Sequence, residues 1–420
     1  MNVVRRVKRW LIGRRLKPLG VFSGLYGRLG VRLAPDGQPL GKSFRRIVVV
    51  PGQQDPSHRW HIDGGPIWPQ YQRQTWVRLL REKRVFDNRP KFPDGQIVAL
   101  NDDMIWGGRL QFHFGHLCAE HITRLLWSLH RWPGRKVLFI SHEGKDASSV
   151  PDYAWDVLGW MGLPKEQVII VTQPVRVGRL LVMPQAEWIR GAAPPRSYLK
   201  LLNAHVNMQG LTPIISDVLY VSRVGMITRG GGVQGGEAYL ERLLRAAGVA
   251  VMDPANTPLR QQLARYAGAR VIVFAEGSAV HGRQLLGRID QDIHILNRRQ
   301  SRPLAKRGLI PRVRRLRYVR ATGHCADLYQ HDGRRNTTHA LSFYDVPTLI
   351  AGFKVMGVDL AHRWNDADYR SELASDVAIF LKRLESCPAS ISRDKTLAAM
   401  HPILMAENLA HLLPQMKGTD

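Results

Sequence analysis

Two short segments of this 420-residue chain put groups suited to a charged ligand directly after runs of core-type residues. Ser222 and Arg223 follow Val218-Leu219-Tyr220-Val221, and Glu276-Gly277-Ser278 follows Val271-Ile272-Val273-Phe274-Ala275. A planar guanidinium grips two phosphate oxygens at once, and free N–H groups at the start of a helix add donors backed by its dipole. Gly277 would let a ligand approach the backbone closely, and Arg229 adds a second positive charge. Together these residues describe a phosphate or diphosphate site. Between them runs a glycine loop, RVGMITRGGGVQGG, that leads into Glu237.

Gly230, Gly232 and Gly235 spell G-x-G-x-x-G, and Asp253 lies 18 residues beyond the last of them. A dinucleotide fingerprint needs its first glycine at the strand end, whereas seven residues separate Ser222 from Gly230. The loop therefore reads as long and mobile, and an NAD-type oxidoreductase is kept as an alternative. In the N-terminal half, His116 and Glu120 stand four apart and share a helix face with Thr123 and Trp127. That face could carry a base, or be satisfied by a Glu120 to Arg124 pair. His113, His116 and Glu120 also have the spacing of metal ligands on one face, but a zinc centre needs further ligands, and no metal or other cofactor is expected. No G-x-S-x-G elbow is present to indicate a serine hydrolase.

These residues must be positioned by alternating strands and helices. Hydrophobic runs predict strands over 47–50, 97–100, 136–141 and 168–172, with a further one over 180–183. Helical spacing predicts helices over 114–130 and 153–161, the second closed by Gly162, and a weaker one over 76–81. After a proline-containing connection over 184–213 with one short helix, the alternation resumes. Strands are expected at 218–222, 249–252 and 270–275, separated by helices at 237–247 and 258–267, with another helix after Ser278. Such alternation implies a parallel sheet with helices on its faces, with ligands bound beyond the carboxyl ends of the strands. Further helices are expected over 345–358 and 366–384, and an edge strand over 313–319. The resulting division is a basic segment (1–45), an N-terminal Rossmann-like domain (46–212), a C-terminal Rossmann-like domain (213–300), and a basic strand region with C-terminal helices (301–420).

The formal net charge of +27 is concentrated in two places. Residues 1–46 hold twelve Lys or Arg against Asp36 alone, and residues 298–320 hold ten against none. The remainder is nearly balanced, which argues against a nucleic-acid-binding body, although that reading stays as a third class. The two basic segments could instead rest on an anionic membrane surface. No apolar stretch approaches the length of a membrane span, the N-terminus lacks a secretory hydrophobic run, and Cys118, Cys325 and Cys387 suggest no disulfide framework. A cytoplasmic location is expected, with a peripheral position at the inner face of the membrane kept open.

Several ordered motifs resemble glycosyltransferase family 61. LYVSR (219–223), GGEAYLERLLRAAGVAVMDP (235–254) and PLRQQLARYAGARVIVFAEGSAVH (258–281) are similar to consecutive stretches of that family, and FGHLCAEHITRLLW (114–127) is similar to its aromatic, His-containing helix. The family usually has His-Gly where this chain has Glu276-Gly277, with His281 a turn later. The resemblance implies two Rossmann-like domains facing a cleft (GT-B type). It also implies an inverting, metal-independent transfer from a nucleotide-sugar donor to a cell-surface polysaccharide or glycolipid acceptor. It places Ser222, Arg223, Arg229, Glu237, Gly277 and Ser278 at the donor. His116, Glu120, Glu276 and His281 become the candidates for sugar contact and for the base that an inverting transfer requires.

Overall fold

The computed structural model describes residues 29–54, 62–82, 84–141, 145–299 and 303–413, so most of the basic head lies outside the described residues. The chain is of mixed α/β construction. Its first half contains β1 (Lys42–Gln54), β2 (Ile62–Pro66), the small ladder β3 (Leu80–Arg81) with β4 (Arg84–Val85), and β5 (Val98–Leu110). Next come the helical turn α1 (Phe114–His116), a π-helical turn (Leu117–His121) and α2 (Leu125–Arg131). After them follow β6 (Val137–Ser141), α3 (Asp152–Trp160), β7 (Val168–Val171), β8 (Val175–Val182) and α4 (Arg196–Met208). Six strands form one mixed sheet in the order β2-β1-β8-β5-β6-β7, parallel from β8 to β7 and antiparallel around β1.

The second half runs β9 (Ser216–Val221), β10 (Val233–Gln234), α5 (Glu237–Ala246), β11 (Ala250–Met252), α6 (Leu259–Gly268) and β12 (Ala269–Ala275). A 3-10 helix (Ser278–Leu285), β13 (Asp292–Leu296), α7 (Lys306–Leu309) and β14 (Arg315–Val319) complete this part. All five strands of the sheet β11-β9-β12-β13-β14 are parallel. The hairpin β15 (Thr322–Tyr329) and β16 (Arg335–Tyr344) pairs with β10, and α8 (Val346–Val355), α9 (Asp366–Glu385) and α10 (Arg393–Ala406) follow. Asp345 and Asn365 cap α8 and α9 by accepting backbone N–H groups, and Gly162 closes the turn after α3 at φ +85°.

The parallel sheet serves two cores. Leu219 and Val221 of β9, with Ile272 and Phe274 of β12, face a cluster that also holds Ile105, Leu138, Ile140 and Leu158 of the first half. Their neighbours Val218, Tyr220, Val271 and Val273 face a second cluster with Phe343, Phe353, Leu373, Val377 and Leu404. The period-two alternation of a strand thus divides one run of apolar residues between two layers. Each fully buried aliphatic side chain contributes about 1.5–3 kcal/mol toward holding a layer in place.

Several expectations change. Residues 76–81 form no helix but a turn leading into β3, and the strand expected at 97–100 extends to Leu110. The helix expected over 114–130 is interrupted by the π turn, in which the Ile122 N–H reaches back to the Leu117 carbonyl at 3.2 Å. The last part of the glycine loop forms β10 and pairs with β16. The C-terminal helices α9 and α10 pack into the second core. β14 does lie at a sheet edge, as expected.

Candidate functional site

Three neighbouring parallel strands, β9, β12 and β13, end on a cluster of three arginines. Arg223 follows β9, Glu276 follows β12, and Arg298 and Arg299 follow β13. The Arg223 guanidinium donates from Nε and Nη2 to the Gly232 carbonyl at 3.1 and 2.9 Å, and it lies against Gly277, filling the space that a Cβ there would need. Burial lowers the pKa of Arg223, and it brings Arg298 down to about 9, with Arg223 and Arg299 adding to the effect. Crowded, partly desolvated guanidinia gain from an oxyanion that can bond several N–H groups at once. This is the chemistry expected for a phosphate site.

The first half supplies a second wall. The turn carrying His113 and His116 follows β5 and packs on the 3-10 helix; a Cβ on Gly115 would come within 2.9 Å of His281 Cδ2 and 3.3 Å of Ser278 Cβ. Four candidate residues, His116, Glu120, Ser278 and His281, thereby meet at one seam. His116 Nδ1 lies 3.0 Å from Glu120 Oε2, and Arg81 Nε lies 3.6 Å from Oε1 of the same buried carboxylate. The His113 ring stands 4.8 Å from that of His116. Burial pushes His113 and His281 down to about 4.

The remaining candidates have other duties. Glu276 is buried and fully engaged: its carboxylate accepts the backbone N–H groups of Arg298 and Arg299 at 2.9 and 3.1 Å, and the Arg299 guanidinium at 2.8 and 2.5 Å. It orients two cations instead of offering a free base. Glu237 accepts from the Tyr220 hydroxyl and the Arg223 backbone N–H at 2.7 and 2.9 Å, so it shapes the loop behind the arginines. Ser222 Oγ accepts the Val224 N–H at 3.0 Å and fixes the same turn. Arg229 is exposed and reaches Asn256 instead of the cluster.

Face sharing on the N-terminal helix also has a different outcome from the one expected. Thr123 donates to the Glu120 and Glu187 carbonyls, and Trp127 packs edge-on against Tyr198, so both are turned into the interior. The alternative Glu120 to Arg124 pair is not made among the described residues; Arg124 donates to the Val77 and Arg78 carbonyls. Among the described residues no group of three or more His, Cys, Asp or Glu side chains is arranged to hold a metal ion. The glycine fingerprint does not form a strand-to-helix phosphate cradle, because Arg223 and Arg383 tie down the Gly232 and Gly231 carbonyls while β10 joins another sheet.

The sequence did not mark Arg298 and Arg299 as site residues. They belong to the basic run 298–320, whose charge reads as a surface patch until its partners are seen. Glu187, Gln284 and Arg312 also escaped notice, since they lie far apart in the chain and carry no motif. The place of Arg298 and Arg299 just after the β-rich run 292–296, with one residue between, was the available signal.

Residues 114–283 match the family model described as Glycosyltransferase 61. No curated protein matches the chain. The matched stretch begins at the His116 turn and ends within the 3-10 helix that holds His281.

Proposed function

Because residues 114–283 place the chain in glycosyltransferase family 61, we propose that this glycosyltransferase moves a sugar from a nucleotide-sugar donor to a cell-surface polysaccharide or glycolipid acceptor. The transfer is inverting and metal-independent, in a two-domain GT-B arrangement with the donor on the second sheet. The observation that carries this reading is the meeting of an arginine cluster with an imidazole seam at the carboxyl ends of parallel strands. Arg223 and Arg299, with the Gly277-Ser278 turn, hold the diphosphate and stabilise its charge as the sugar leaves. His116 removes the acceptor proton: its Nδ1 is held by Glu120, which leaves Nε2 as the basic nitrogen and stabilises the imidazolium that forms. The protein works in the cytoplasm, with its basic head against the inner face of the membrane where a lipid-linked acceptor would sit.

Calorimetry and turnover measurements on two variants test these assignments. Arg223→Ala should weaken nucleoside diphosphate binding by about tenfold, the effect of losing a charge-assisted contact. His116→Ala should leave that binding unchanged while turnover falls by about 10²–10⁴, the usual worth of a general base. Unchanged binding in the Arg223 variant would remove the assigned diphosphate site.

A further inference from the structure

His281 is held by a chain of polar groups that crosses from one half of the molecule to the other. Its Nδ1 lies 2.6 Å from Gln284 Oε1, and Gln284 Nε2 lies 2.8 Å from Glu187 Oε2. Arg312 grips both oxygens of Glu187, at 2.5 and 2.9 Å, and spends its remaining N–H groups on the carbonyls of Gln284, Leu286 and Gly308. All four side chains are buried. Gly308 is needed for this approach, since a Cβ there would collide with Gln284 Nε2.

The chain dictates a tautomer. A carboxylate gripped by a guanidinium on both oxygens can only accept, so the Gln284 NH₂ must face Glu187 and its carbonyl must face His281. A carbonyl oxygen also only accepts. The hydrogen therefore sits on His281 Nδ1, and the lone pair is on Nε2. His113 and His116 approach the ring from the turn above, and Gln284 from its own helix, with Glu187 and Arg312 behind. Among the described residues no carboxylate adjoins the ring to stabilise an imidazolium, and burial favours its neutral form.

We propose that His281 is a hydrogen-bond acceptor for a hydroxyl of the transferred sugar, and that Gln284, Glu187 and Arg312 are positioning residues that hold its Nε2 lone pair toward that hydroxyl. The assignment rests on the nucleotide-sugar reading above. One turn of 3-10 helix, about 6 Å along the axis, separates His281 from Ser278, so the helix that opens at the proposed diphosphate turn also carries His281. The donor is then a sugar with a free hydroxyl at this point, because a deoxygenated one would leave a buried acceptor unpaired.

Calorimetry of the full-length chain with UDP, GDP, UDP-glucose, UDP-N-acetylglucosamine and GDP-mannose tests the proposal. In His281→Ala and Gln284→Leu, affinity for the free nucleoside diphosphate should stay within about twofold, while affinity for the preferred sugar conjugate falls by about five- to tenfold. His281→Gln, which keeps an acceptor, should recover part of the loss. Equal binding of the conjugate by wild type and both loss variants would overturn the role of His281. Failure of the wild type to bind any nucleotide would overturn the nucleotide-sugar reading itself. Independently of any ligand, imidazole ¹⁵N spectra of the wild-type protein should show His281 as the Nδ1–H tautomer, shifting toward Nε2–H in Gln284→Leu. An Nε2–H tautomer in the wild type would overturn the proposal.

Discussion

Glu237 shows how the site's shape is maintained at some cost in stability. One of its oxygens accepts from Tyr220 and from the Arg223 backbone; the other is buried without a hydrogen-bond partner among the described residues. Burial pushes its pKa up to about 7. The folded chain therefore holds this proton more tightly than the unfolded chain does. The associated stability is complete below the ordinary carboxyl range and is lost as pH rises through about 7, by roughly 2–4 kcal/mol in all. Glu237→Gln should remove that loss, so the difference in Tm between variant and wild type should favour the variant more at pH 8 than at pH 5. Asp87 and Asp376 are also raised, to about 6, which makes this difference more informative than either curve alone. A pH-independent difference would mean that Glu237 does not titrate in this window.

The run 298–320 gives the clearest lesson at the level of elements. Six of its cations have identified partners within the fold: Arg298 on the Thr337, Thr338 and Ala340 carbonyls, Arg299 on Glu276, Arg307 on the Gly191 carbonyl, Arg312 on Glu187, and Arg314 and Arg315 on Asp292. The segment is thus a clasp that joins the parallel sheet to the first half of the chain. Removing one member of a buried pair strands the other charge in a low dielectric. Arg312→Met should therefore lower unfolding stability by about 3–5 kcal/mol in denaturant titrations, and replacing Glu187 by Leu in the same chain should recover part of it. A loss below 1 kcal/mol would show that the clasp is dispensable. The π turn has a complementary role: it breaks the helix between His116 and Ile122 while His116 and Glu120 remain in contact.

Across the whole molecule, one apolar cluster runs without interruption from the first sheet to one face of the second, while the other face belongs to the C-terminal helices and hairpin. The proposed site lies where strand ends from the two sheets approach, with the His113–His116 turn against the 3-10 helix. Since so many cations of 298–320 have internal partners, electrostatic attraction to a membrane should come mainly from residues 1–46. Deleting residues 1–20 should abolish salt-sensitive binding to liposomes containing anionic lipid, whereas Arg314→Ala with Arg315→Ala should leave most of it. Retention of binding by the truncated chain would rule out residues 1–20 as the membrane contact.

The strands β9, β11 and β12 and the helices α5 and α6 were legible in the sequence, because hydrophobic periodicity and punctuating glycines are local signals, whereas β13, with Arg298 and Arg299 beyond its end, went unmarked. The same locality made Arg223, Gly277, His116 and His281 visible as candidates. Only the tertiary structure decided their company. It engaged Glu276 with Arg299, sent Arg229 away, paired the end of the glycine loop with β16, and gave six cations of the basic run partners within the fold. Ion pairing and burial depend on residues brought together from distant parts of the chain, as Glu187, Gln284 and Arg312 are, and linear spacing carries no record of such partners.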